Sequence, residues 1–230
     1  MSQNKGVFVV GTGTDVGKTY VAALLIRCLR QEDINANYYK AAVSGNARVG
    51  GKLVPGDALF VKNFANLDTD LSEMVSYVYE EPLSPHLAAR KEGNFADVRT
   101  IKAAFRKISR KSDFVVVEGS GGVLCPLVYD DKSNIWLEDI VRILRLSVVV
   151  VADAGLGTIN ATGLTVWYLK HNDFDVKGII LNNFDENNLM HVDNKYVIED
   201  ITRIPVIATV KKSSEILDGF DSRILYEREG

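Results

Sequence analysis

Two rhythms of apolar residues share this chain. Short unbroken runs of Val, Ile and Leu read as buried strands, and between them apolar residues fall three or four apart, the helical spacing. The runs lie at 7–10, 114–117, 148–152 and 178–183, with a more polar one at 37–40 that ends near Lys40. A last run covers 204–209, where Pro205 suits a strand start or a sheet edge. Helical spacing covers 20–29, with Val21, Leu24, Leu25 and Cys28 on one face, and 98–108, with Ile101, Ala104, Phe105 and Ile108. Further helices are expected from Gly56 through Val61, after Pro85, over 135–144, and from the turn at 154–160 through Leu169. The polar, glycine-rich stretch 46–55 reads as a mobile loop, and 75–79 as a short aromatic stretch. Residues 211–230 form a polar C-terminal segment with few apolar anchors. Strands alternating with helices predict an α/β fold: a mostly parallel central sheet with helices on both faces, and ligands at the strands' carboxyl ends.

Composition narrows the class. The 230 residues suit a single α/β domain, and 47% hydrophobic content is enough for a large core. A net charge of −3 argues against nucleic acid as the main partner. No apolar run approaches membrane-spanning length, and the short run after the first lysine reads as a first strand, not a signal peptide. Cys28 and Cys125 are too few for a disulfide framework and lack zinc spacing, so a reducing cytoplasm is expected. His86, His171 and His191 have no ligand-like spacing, and Trp136 and Trp167 read as core. Asp130 and Asp131 read as a solvated loop.

The first strand runs into Gly11, Thr12, Gly13, Thr14, Asp15, Val16, Gly17, Lys18 and Thr19. Strand, glycine-rich turn, Gly-Lys-Thr and helix is the order of a P-loop. Glycines let backbone N–H groups turn inward around phosphate oxygens, and the helix N-terminus adds partial positive charge there. Lys18 would reach the β- and γ-phosphates and the Thr19 hydroxyl would hold Mg²⁺. The common spacing wants glycine where Thr12 stands, so with Gly11 as the first glycine the loop is one residue longer. Nucleotide binding is therefore expected, with contacts from Thr14 through Tyr20.

Lys40, Glu118 and Asp153 also fall at predicted strand ends. A carboxylate closing an apolar run pays desolvation unless a cation or donors compensate it, and Mg²⁺ bridging phosphates would do so at Glu118. Asp153 competes for that role on the next strand. Asp57 suits either a metal ligand or an ordinary N-cap.

In this order the residues resemble the dethiobiotin synthetase family. The lengthened P-loop is similar to the family's own, and so are Tyr39 and Lys40 with Ser44 and Gly45. The same holds for Gly56 and Asp57, the Glu81-to-His86 run, Glu118 with Gly119, Ser120, Gly121 and Gly122, and the run Leu156, Gly157, Thr158, Ile159 and Asn160. The resemblance implies ATP- and Mg²⁺-dependent ring closure of 7,8-diaminononanoate with CO₂. One amine takes up CO₂ as a carbamate, the carbamate attacks the γ-phosphate, and the second amine displaces phosphate from the mixed anhydride. It implies Lys18 and Lys40 as catalytic charges and Thr19, Asp57 and Glu118 as metal ligands. Nucleotide contacts would extend to Gly119, Ser120, Gly121, Asn182 and Asn183. Ser44 would hold the reacting end of the substrate, and residues 156–160 its distal carboxylate, at a site completed across a homodimer. Near the base, Ala208 to Lys212 depart from the family's Gly-x-Ile-Pro-like turn.

Two rivals share the P-loop. A partitioning or septum-positioning ATPase would carry a second lysine five residues before Lys18, where Gly13 stands. A cobalamin amidoligase would need a glutaminase domain, for which this length leaves no room.

Overall fold

Valine-rich strands stack at the centre because both of their faces are covered. The computed structural model describes residues 6–131 and 133–226; the last four residues of the polar C-terminal stretch lie outside these. In chain order the elements are β1 (Gly6–Gly11), α1 (Lys18–Gln31), β2 (Ala36–Val43), β3 (Arg48–Val49), β4 (Lys52–Leu53), α2 (Gly56–Phe64), α3 (Leu71–Met74) and β5 (Val75–Val78). Then come α4 (Pro85–Glu92), α5 (Val98–Arg110), β6 (Phe114–Gly122), β7 (Pro126–Tyr129), β8 (Asn134–Trp136) and α6 (Leu137–Leu144). The chain continues through β9 (Ser147–Asp153), α7 (Thr158–His171), β10 (Val176–Asn182), α8 (Leu189–Thr202), β11 (Val206–Val210) and a short 3₁₀ turn at Ser222–Leu225. The main sheet has seven strands in the order β11-β10-β9-β1-β6-β2-β5, and every neighbouring pair is parallel.

Side chains alternate between the two faces, which splits the core. Val7, Val9, Tyr38, Val116 and Val149 pack on one side with Leu24, Leu25 and Ile26 of α1 and Val61 of α2. Phe8, Val10, Tyr39, Val115 and Val117 pack on the other with Ile101 of α5, Ile140 of α6 and Leu169 of α7. Parallel register brings the carboxyl ends of β1, β2 and β6 together, and it sets Lys40 directly beside Glu118.

Several expectations change. The second strand does not end at Lys40 but runs on to Val43, so Lys40 is interior to β2. Residues 46–55 are not an irregular loop: β3 and β4 pair antiparallel, and Gly50 and Gly51 supply the two positive-φ positions of the tight turn. Asn46 anchors this hairpin, donating to the carbonyls of Val43 and Tyr79 and accepting from the Gly56 N–H. The stretch at 75–79 contains edge strand β5, and 135–144 divides into the end of β8 and helix α6. Pro205 immediately precedes the edge strand β11.

The helix α8 shows no conventional apolar stripe. Its buried residues are Asn194, Ile198 and Thr202, while Leu189, Val192, Tyr196 and Ile201 are exposed. Asn194 satisfies its burial by donating to the carbonyls of Ala154 and Gly155. Trp167 is not core: it is 62% exposed on α7 and stacks on His171. The C-terminal segment is well anchored. Thr209 bridges Asp218, Leu225 is buried, and Leu217, Phe220, Ile224 and Tyr226 pack on the α1 side of the core. Hydrogen bonds from Tyr20 to the Ser214 carbonyl and from Arg27 to Glu215 tie it to α1.

Candidate active site

A cleft of about 940 Å³ opens at the carboxyl edge of β1, β2 and β6. The loop between β1 and α1 forms its floor. Asp15 and Gly17 adopt positive φ, and no side chain caps the start of α1. The first-turn N–H groups of that helix are therefore available to an anion. Gly17 is required for space as well as conformation, because a Cβ there would collide with the amide of Asn182. The Asn182 amide nitrogen donates to the Val16 carbonyl at 3.1 Å and so braces the loop from beneath.

Lys18 is buried and donates to the Gly13 carbonyl at 2.7 Å, folding across its own loop. Burial lowers its pKa, with the nearby Glu118 charge opposing that shift. Thr19 donates to Glu118 Oε1 at 2.8 Å. Lys40 Nζ donates to Glu118 Oε1 and to Asp57 Oδ2, each at 2.6 Å. Burial alone would lower the Lys40 pKa, but the Glu118 and Asp57 carboxylates outweigh it and the net shift is upward. The ammonium is thus held charged between two acids. Glu118 is only 1% exposed, and its second oxygen accepts from the Tyr38 hydroxyl at 2.7 Å. Desolvation, reinforced by the Glu118 charge, pushes the Tyr38 pKa well up, so its hydroxyl stays protonated as a donor.

Asp57 is in the first turn of α2 and makes no capping hydrogen bond; the residue before the helix is Pro55. Its carboxylate turns to Lys40, which removes the N-cap reading. Asp153 is committed elsewhere, with one oxygen accepting from the Gly155 N–H and the other from the Asn183 amide. Thr19, Asp57 and Glu118 offer only hard oxygen donors, which suits Mg²⁺. Among the described residues, no cluster of three or more His, Cys, Asp or Glu forms a metal cage.

The cleft gathers Thr14, Asp15, Gly17, Lys18, Thr19 and Tyr20 with Lys40, Ser44, Asp57, Glu118, Ser120 and Gly121. Other expected contacts are not on its wall. Val16 packs with the core on the α1 side. Gly119 lies against Leu137 and Phe8, where a Cβ would not fit. Asn182 supports the loop, Asn183 holds Asp153, and residues 156–160 do not line this cleft. The structure also adds residues that no motif marked. Phe60 of α2 lines the cleft and meets the Tyr20 ring at 6.0 Å, and Cys125 lines it as well. Tyr38 could have been found from strand alternation, since it lies two residues before Lys40 on the same face.

A glycine-rich turn, a lysine and a helix N-terminus at the carboxyl edge of a parallel sheet define the class of P-loop NTPases. A family model described as an AAA domain matches residues 5–217. An ATP-dependent dethiobiotin synthetase BioD of Clostridium botulinum (strain 657 / Type Ba4) is 44% identical over 98% of this chain and 99% of its own. A protein of the same name from Brachyspira hyodysenteriae is 44% identical over 97% of this chain and 99% of its own. The chain belongs to the ATP-dependent dethiobiotin synthetase family. The crystal structure of a ParA family ATPase from Chlorobium tepidum TLS matches with a TM-score of 0.54 at 15% identity, covering 92% of this chain and 86% of that one. That likeness is one of fold alone, so it does not advance the partitioning-ATPase reading.

Proposed function

We propose that this protein closes the cyclic urea of dethiobiotin from 7,8-diaminononanoate and CO₂ at the expense of ATP. The observation that carries the reading is the near full-length relationship to proteins of that name, joined to a P-loop cleft holding Lys18, Lys40 and Glu118 together. Phosphoryl transfer asks mainly for positioning and neutralised charge, not for a covalent protein group. Lys18 would leave the Gly13 carbonyl for the β- and γ-phosphates. Lys40 would place positive charge where the carbamate oxygen meets phosphorus. Ser44 lies on the same wall and would orient the amine end. Thr19, Asp57 and Glu118 would hold Mg²⁺, which draws negative charge off the phosphates when bound.

A homodimer completes this reading. Residues 156–160 stand away from their own cleft, and Leu156 is 94% exposed beside the start of α7. Exposed Leu164 and Trp167 on α7 and Leu189 and Tyr196 on α8 form apolar surface suited to a second copy. The start of α7 from that copy would then offer its N–H groups to the substrate's carboxylate. The two free cysteines suit a cytoplasmic setting. Among the described residues, no helix is long and apolar enough to cross a membrane.

The test is an assay of phosphate and dethiobiotin formation with ATP, bicarbonate and 7,8-diaminononanoate. Phosphate release should require both the diamine and CO₂. Equal release without the diamine, or release stimulated by DNA or lipid instead, would overturn the reading.

A further inference from the structure

Glu118 is held by a residue outside every recognised motif. Tyr38 lies on β2 two positions before Lys40, so both side chains leave the same face of the strand. Parallel register sets Tyr38 beside Val116 and Lys40 beside Glu118. The Tyr38 ring is fully buried in the core under α1, and its hydroxyl donates to Glu118 Oε2 at 2.7 Å. Oε1 accepts from Thr19 and Lys40 instead. The two oxygens are therefore not equivalent: one is pinned from within the core, and the other meets the groups of the cleft.

We propose that Tyr38 is a positioning residue for the Glu118 carboxylate, fixing which oxygen faces the cleft and its angle toward the metal. The last torsion of a glutamate side chain is broad and nearly two-fold, so packing alone orients the carboxylate weakly. A donor on the far oxygen removes that freedom before the nucleotide arrives. This is how outer groups orient metal-ligating carboxylates, and losing one commonly costs about 10–100-fold in metal affinity. The proposal rests on reading Glu118 as a magnesium ligand, and the test separates the two.

Tyr39 supplies an internal control. It is equally buried on the same strand, but its ring faces the other core, and its hydroxyl bonds Ser76 and the Ile101 carbonyl. Tyr38→Phe, Tyr39→Phe and Glu118→Gln would be compared with the parent protein. Mn²⁺ binding in the presence of a non-hydrolysable ATP analogue would be read by electron paramagnetic resonance, with thermal melting alongside. Tyr38→Phe should weaken Mn²⁺ binding by about tenfold, while Tyr39→Phe stays within about twofold although its melting temperature falls. Glu118→Gln should weaken binding further. If Glu118→Gln weakens binding but Tyr38→Phe does not, or if Tyr39→Phe weakens it equally, the positioning role is overturned and the metal reading stands. If Glu118→Gln binds Mn²⁺ as the parent does, the metal reading itself falls, and the proposal with it. Should Tyr38→Phe not fold, a crystal structure of the parent with Mn²⁺ and the analogue decides. Tyr38 on Glu118 Oε2 supports the proposal, and a carboxylate turned away from Tyr38 overturns it.

Discussion

At the scale of single residues, charge and its compensation organise the site. Glu118 is almost fully buried and accepts from Thr19, Tyr38 and Lys40, which is how a carboxylate survives in that position. Asp153 ends an equally apolar strand, yet it is spent on the Gly155 N–H and the Asn183 amide. Glu118→Gln should therefore abolish Mg²⁺-supported turnover, while Asp153→Asn keeps most of it; steady-state assays over a Mg²⁺ titration check this. A Mg²⁺ ion refined on Asp153 and not on Glu118 would reverse the assignment. Lys18 is a buried charge held on the Gly13 carbonyl of its own loop. Lys18→Gln should cost about a hundredfold or more in rate, the scale of removing one preorganised donor, in a protein whose circular dichroism is unchanged. Strand ends alone marked both acids without ranking them, and only the family resemblance favoured Glu118. Their hydrogen bonds come from Lys40, Thr19 and Asn183, on other elements, and no spacing rule reports those.

At the scale of elements, patterns failed where a buried face was polar or an exposed face apolar. The helix α8 escaped notice because Asn194 and Thr202 are on its inward face and Leu189 and Tyr196 are on its outward one. The C-terminal segment looked unanchored because its apolar residues follow no single period. Its Leu225 is nevertheless buried, and Tyr20 and Arg27 hold the segment to α1. Leu225→Ala should destabilise the protein by about 2–5 kcal/mol, the range for emptying a buried leucine site. Denaturant unfolding measures this directly, and a midpoint unchanged from the parent would mean that the segment contributes nothing to stability. The same α1 begins at the P-loop, so loss of this strap should also weaken nucleotide binding.

At the scale of the whole molecule, the cleft is lined without residues 156–160, and among the described residues Leu164 and Trp167 on α7 and Leu189 and Tyr196 on α8 are left exposed. Trp167→Asp should yield a folded monomer in sedimentation velocity. Its KM for 7,8-diaminononanoate should rise by about tenfold or more, equivalent to about 1.4 kcal/mol of lost anchoring, while ATP binding is retained. A Trp167→Asp protein that sediments as the parent does and is fully active would overturn the proposed interface.

The sequence by itself determined the strand–helix alternation, the parallel sheet it requires and the phosphate-binding turn. All three are written in local spacing: apolar runs of strand length, helical periodicity, and glycines next to Gly-Lys-Thr. Only the tertiary structure decided that Tyr38 holds Glu118, that Lys40 spans Glu118 and Asp57, that Asp153 serves a turn, and that Trp167 faces outward. Each of these depends on which strands become neighbours and in what register. That choice is made by packing across the sheet, between residues as far apart in sequence as Tyr38 and Glu118, and no local pattern encodes it.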